Sequence, residues 1–171
     1  MPTTPPPEPF CALYTQHIEQ VYRYHLARTG SAEAAEDLTA ETFFAALASF
    51  DRLDETQPAL PWLFGIARHK LADYHRRLFF RGLPRSMRLD GMENLAEAAP
   101  SPEDQAEHRL NVARVAKALR SMNPGRAEAV ALHYYGGLSM LEIGQSLGKS
   151  EEAVKKMVQR GLAELRQMVA G

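Results

Sequence analysis

The chain has 171 residues, 45% of them apolar and 24% charged, with a net charge of −1; this is the composition of a folded globular protein of one ordinary domain or two small ones. A single cysteine, Cys11, permits no internal disulfide and cannot supply the thiolates of a structural zinc site. No run approaches the roughly 18 apolar residues of a membrane span, and Met1 to Phe10 is proline-rich where a secretory signal is basic and then apolar, so a soluble cytoplasmic protein without direct membrane insertion is expected.

The near-zero total hides a polarised chain, and local fields govern binding. Residues 1–9 are expected to form a disordered tail. A first helix is predicted from about Phe10 to Arg28, stopped by Gly30, and Ser31 caps a second that runs towards Phe50. Between Ser31 and Pro58 seven acids stand against Arg52 alone, and Glu33, Asp37 and Glu41, spaced four apart, line one side of the second helix with Phe44 adjoining. Like charges at that spacing repel, so a basic external partner is one explanation and the helix N-terminus accounts for the earliest acid.

The third helix is predicted from Trp62 to about Phe80, with Pro61 in its first turn. Here the charge reverses: seven Lys and Arg between Pro61 and Arg88 face only Asp73. Trp62, His69 and Arg76 recur every seven residues and share a face with Gly65, Arg68 and Asp73, opposite Leu63, Ala67, Leu71, Tyr74 and Leu78. Such a basic stripe can follow a phosphate backbone while a ring stacks on an unpaired base; Trp62 equally suits packing, and His69 with Asp73 suits a local helix pair. Residues 89–107 carry six acids and no Lys or Arg, the composition of an acidic linker.

The pattern then predicts a helix from about Glu103 to Met122, a break at Asn123-Pro124-Gly125, and a helix from Arg126 to Tyr135 ended by Gly136-Gly137. Ser139 with Glu142 has the form of a capping box, and Ser150 caps a last helix after Gly148. The final pair, joined by a short turn, is a helix-turn-helix arrangement. On its second helix Val154, Met157, Val158, Gly161, Leu162 and Leu165 fall on one side, and Glu152, Lys155, Lys156, Gln159, Ala163 and Arg166 on the other. The polar side suits a DNA groove: Lys155, Lys156 and Arg160 for phosphate or guanine, Gln159 for adenine, Glu152 for cytosine N4. An ordinary solvated face gives the same pattern. No strand pattern appears, so the expected fold is all-α: two small helical domains, residues 10–88 and 108–171, joined by the acidic linker 89–107, the C-terminal domain a helix-turn-helix.

Three segments taken together resemble bacterial RNA polymerase sigma factors of the extracytoplasmic-function (ECF) group. They are Ala35-Glu36-Asp37-Leu38-Thr39-Ala40-Glu41-Thr42-Phe43; Pro61-Trp62-Leu63-Phe64-Gly65-Ile66-Ala67-Arg68-His69 followed by Asp73 and Arg76-Arg77; and Gly137-Leu138-Ser139-Met140-Leu141-Glu142-Ile143-Gly144 with Leu147-Gly148-Lys149-Ser150 and Val154-Lys155-Lys156. The resemblance implies that Glu36, Asp37, Leu38, Glu41 and Phe43 dock on, or support docking on, the largest subunit of core polymerase. It implies that Trp62, Arg68, His69, Arg76 and Arg77, with the loop before them, engage a melted minus-ten element whose extruded base is captured in a pocket. Ser150, Glu152, Lys155, Lys156, Gln159 and Arg160 would read the minus-thirty-five duplex through its major groove. An anti-sigma protein is an implied partner, and no cofactor, metal or catalytic residue is expected. This sequence departs from the family pattern at Ala40, His69, Lys149, Met157 and Leu162, the last two standing where arginines are common. Two other classes fit parts of the pattern. An autonomous dimeric helix-turn-helix repressor leaves the Trp62 helix unexplained, and a helical enzyme lacks any recognisable nucleophile, phosphate-loop or metal motif.

Overall fold

The computed structural model describes residues 6–82 and 101–171. Residues 1–5 of the expected tail, together with Arg85, Arg88 and most of the expected linker, lie outside the described residues. Seven α-helices and one short 3-10 turn account for the fold, with no strand among the described residues.

Helix α1 (Glu8–Thr29) begins earlier than the periodicity predicts, so residues 8 and 9 of the expected tail are helical; Pro9 sits in the first turn, where its missing N–H has no helical partner to lose. The helix ends at Gly30, whose φ of 68° is open to glycine without strain and whose N–H reaches Leu26 O at 2.8 Å. From Tyr24 to Gly30 every residue is buried, more than an amphipathic stripe allows, because helices from both halves of the chain pack around this end of α1.

Helix α2 (Ala32–Ser49) starts where expected, the Ser31 hydroxyl accepting from Ala34 N at 3.2 Å. Ala35 and Ala46 are fully buried and let α1 approach closely, while Leu38 and Phe43 fill the space between. A 3-10 turn (Phe50–Arg52) leads to α3 (Ala59–Phe80), which buries Leu63, Phe64, Ala67 and Leu71. Each large apolar side chain so buried contributes about 1.5–3 kcal/mol.

Helix α4 (Pro102–Ser121) is capped by Ser101, which accepts from Asp104 N at 3.1 Å. The helix starts one residue before the predicted Glu103, so the end of the expected linker, residues 102–107, is helical, with Glu103 and Asp104 set favourably against the positive end of the helix dipole. Asn123 caps α5 (Pro124–Tyr134) by accepting from both Gly125 N and Arg126 N.

The predicted capping box is formed at α6 (Met140–Leu147): Ser139 Oγ accepts from Glu142 N at 3.1 Å and Glu142 Oε2 from Ser139 N at 2.8 Å. Gly148, at φ 65°, turns the chain into α7 (Glu151–Ala170), which Ser150 caps. A Cβ on Gly144 would come within 2.6 Å of Lys149 O, so the closeness of this turn depends on glycine.

The two halves share one apolar core, in which Phe64 and Leu71 of α3 join Leu132, Leu138 and Ile143 of the second half. Gly136 sits at this seam; a Cβ there would lie 3.2 Å from the Phe64 ring.

Candidate nucleic-acid interface

The second helix of the helix-turn-helix presents the face the spacing predicts. Val154, Val158 and Gly161 are buried, with Met157, Leu162 and Leu165 half-buried beside them. Met157 and Leu162 thus pack on the core. Ser150, Glu152, Lys155, Lys156, Gln159 and Arg160 are all exposed. Ser150 is committed through its hydroxyl to the Ala153 N–H at 3.1 Å, so its place is at the helix start, where N–H groups also favour a phosphate. Lys155 lies 3.6 Å from Glu151 and 3.2 Å from Glu152, and the hydrogen bond to Glu152 with the nearby carboxylate charges raises its pKa. Lys156 extends from the same face outside those pairs.

Helix α2 presents Glu36 and Asp37 to solvent beside Phe44, which is 73% exposed. Glu41 is half-buried and lies 3.9 Å from Arg77 of α3, bridging the acidic and basic faces. Leu38 and Phe43 are buried in the core, beneath the exposed acids, and Phe43 packs edge-on against Tyr14 at 4.9 Å between ring centres.

Helix α3 corrects the picture of a single open basic stripe. His69, Arg76 and Arg77 are exposed. Trp62 is half-buried against the core, its ring 6.4 Å from that of Phe50. Asp73 pairs with Arg76 at 3.4 Å and not with His69. Arg68 turns to the other half of the molecule, its Nε 3.0 Å from Glu128 Oε1 and its Nη1 donating to Ser146 O at 3.0 Å.

Glu128, on α5, gathers three groups from the first half. Besides Arg68 it accepts from the Tyr24 hydroxyl at 2.7 Å and faces Arg28 Nε at 3.3 Å. Arg28 and Glu128 are 7% and 14% exposed, so this is a partly desolvated charge cluster. Burial, followed by the Glu128 charge, raises the Tyr24 pKa well above its ordinary value, keeping the phenol a hydrogen-bond donor. Sequence reasoning missed this cluster. The available signal was Glu128 as a lone acid inside the apolar run from Ala127 to Leu132, matched by Arg28 near the end of α1. Among the described residues no three His, Cys, Asp or Glu side chains are grouped to hold a metal ion, and no helix is long and apolar enough to cross a membrane.

Comparison with known proteins fits the two halves. Residues 13–78 match the family model for sigma-70 region 2, and residues 113–165 that for sigma-70 region 4. The chain is 34% identical over 161 residues to the ECF RNA polymerase sigma factor BldN of Streptomyces coelicolor, spanning 94% of this chain and 60% of that protein. With the ECF RNA polymerase sigma factor SigL of Mycobacterium tuberculosis it shares 31% identity over 156 residues, 91% of this chain and 85% of the relative. Among solved structures, CnrH in complex with the cytosolic domain of CnrY superposes with a TM-score of 0.69 at 25% identity, covering 94% of this chain and 87% of that one. The chain belongs to the ECF sigma factors, with a region 2 half and a region 4 half in the family's order.

Proposed function

We propose that this chain is a promoter-specificity subunit which binds core RNA polymerase, directs it to promoters and helps melt the minus-ten element. The observation that carries this reading is one chain bearing both an exposed acidic face on α2 and, on a capped helix-turn-helix, an exposed polar face on α7. Residues 10–88 act as the polymerase-docking and minus-ten domain, and residues 108–171 as the minus-thirty-five domain.

Glu36, Asp37 and Glu41 form the docking surface, with Leu38 and Phe43 holding α2 in place beneath them. His69, Arg76 and Arg77 follow the opened strand, with Trp62 and Arg68 beside them. Lys155, Lys156 and Arg160 hold the duplex backbone or guanine, Gln159 and Glu152 meet base edges, and Ser150 sets the helix start. The protein does no covalent chemistry and works in the cytoplasm. An anti-sigma factor is a third partner, a reading supported by the structural relative CnrH being held in a complex with CnrY.

The test is co-elution with bacterial core RNA polymerase, comparing wild type with the charge reversal Asp37→Lys/Glu41→Lys, confirmed folded by circular dichroism. Binding by wild type and loss in the variant supports the reading and its docking face. Binding by both keeps the class and rejects the acidic stripe as decisive. No binding by folded wild type to its own core enzyme rejects the promoter-specificity role.

A further inference from the structure

We propose that Glu128 is an intramolecular latch: by holding Arg68, Arg28 and Tyr24 of the first half it keeps the two halves closed, with Arg68 withdrawn from nucleic acid until the latch opens. The nucleic-acid part of this inference rests on the reading of Arg68 as a strand contact; the closure part does not.

Three observations carry it. Glu128 comes from α5 in the region 4 half, yet its partners, Tyr24 and Arg68 hydrogen-bonded at 2.7 Å and 3.0 Å and Arg28 ion-paired at 3.3 Å, all come from the region 2 half. Arg68 is gripped twice by the second half, through Glu128 and through Ser146 O, so its guanidinium faces away from the exposed His69, Arg76 and Arg77 of its own helix. At the seam, a Cβ on Gly136 would meet Leu132 O at 2.5 Å within the second half and the Phe64 ring of the first half at 3.2 Å, so the turn after α5 lies directly against α3.

The energetics suit a latch that releases. A partly buried ion pair gains little more than its desolvation removes, so charges held this way can leave when water or phosphate replaces their partners. Removing one partner is different, because two guanidiniums facing each other's surroundings without a carboxylate disfavour the closed form. Glu128→Gln should therefore open the molecule. Arg68→Gln should open it less, since Tyr24 and Arg28 still hold the carboxylate.

The full chain tests this with spin labels at Ala48→Cys on α2 and Ala163→Cys on α7, both exposed, in a Cys11→Ser background. Pulsed dipolar spectroscopy should give wild type one short distance population. Glu128→Gln should add a longer one, Arg68→Gln a smaller share of the same. Glu164→Gln removes an equal charge but breaks only the Arg126–Glu164 pair inside the second half, and should leave the distances unchanged. Unchanged distances in both Glu128→Gln and Arg68→Gln overturn the latch; if Glu128→Gln loses helicity, Arg68→Gln alone decides.

A second readout is binding to a fluorescein-labelled, mixed-sequence 20-nucleotide single strand across a salt series, with the unlabelled chains. Glu128→Gln should bind several-fold tighter than Glu164→Gln. One recovered phosphate contact should steepen its log K against log salt by about 0.7, and the double variant Glu128→Gln/Arg68→Gln should lose that gain. Opening without a gain in strand binding overturns the withdrawal of Arg68 from nucleic acid, and leaves the family reading to its own polymerase test.

Discussion

The Tyr24 hydroxyl donates a 2.7 Å hydrogen bond to Glu128 across 104 positions of sequence, joining the first helix to the second half of the molecule. Tyr24 is completely buried, so its phenol has no water to fall back on when the carboxylate is removed.

Tyr24→Phe should therefore lower stability by about 1–2 kcal/mol, towards the low end for a bond to a charged group because Arg28 and Arg68 still hold Glu128. Urea unfolding checks this: the midpoint should fall with the slope unchanged, since the surface exposed on unfolding is the same. The same burial keeps Tyr24 protonated well beyond the ordinary tyrosine range. An alkaline absorbance titration of the native protein should leave at least one of its six tyrosines silent until unfolding.

Gly144→Ala should cost about 1–3 kcal/mol, the range for overpacking, and should weaken duplex binding by displacing α7. The reason is local: the added methyl would meet Lys149 O at 2.6 Å, a backbone atom that cannot swing aside. Gly148→Ala is the comparison, since nothing lies near its Cβ and the strain there comes from φ 65° alone. Thermal unfolding of both variants, with a DNA-binding assay, separates a clash from a backbone preference.

Helix ends were the most legible part of this sequence, because Ser31, Asn123, Ser139 and Ser150 act on amides two or three residues away and need no tertiary partner. The core face of α7 was legible for the same reason, as periodicity is local. The exposed side of α7 was legible from spacing, whereas on α2 spacing picked out the acids Glu33, Asp37 and Glu41 and did not tell that Glu41 is half-buried against α3. The fate of Arg68 could not: its partners lie 60 and 78 positions away, and helix geometry says nothing about which half of a chain will claim a guanidinium. Tyr24 through Gly30 was hidden likewise, since a helix surrounded on several sides loses the one-sided pattern on which amphipathic reasoning depends.

His25 makes stability fall in mild acid. Thr42 Oγ1 commits its proton to Leu38 O at 2.6 Å, so at the 3.1 Å contact His25 Nε2 is the donor, and the buried Nδ1 has no partner for a second proton. Burial lowers its pKa from 6.5 to about 3. The unfolded chain thus takes up a proton the folded chain refuses. The stability is fully present above about pH 6.5 and is lost as pH falls towards 3, at up to about 1.4 kcal/mol per pH unit. His25→Gln, which keeps a donor towards Thr42, should flatten that part of the curve when urea midpoints are measured from pH 7 to pH 4; an equal slope in both proteins rejects the assignment.

Lys155 and Lys156 are neighbours on the exposed face of α7, but their charges are not equally free for a phosphate. Lys155 stands within 3.6 Å of Glu151 and 3.2 Å of Glu152, and a phosphate must compete with both carboxylates. Lys156→Ala should therefore reduce the slope of log K against log salt for duplex promoter binding by about 0.9, the value for one lost phosphate contact on double-stranded DNA. Lys155→Ala should reduce it by less, and Glu152→Gln, whose amide oxygen can still accept from a base edge, should narrow the difference between the two lysines by leaving Lys155 with Glu151 alone. Fluorescence anisotropy with the reconstituted polymerase, on a promoter fragment across a salt series, measures all three. Equal losses from the two lysines would mean that the carboxylates swing clear when DNA arrives, and that the pairing belongs to the free protein only.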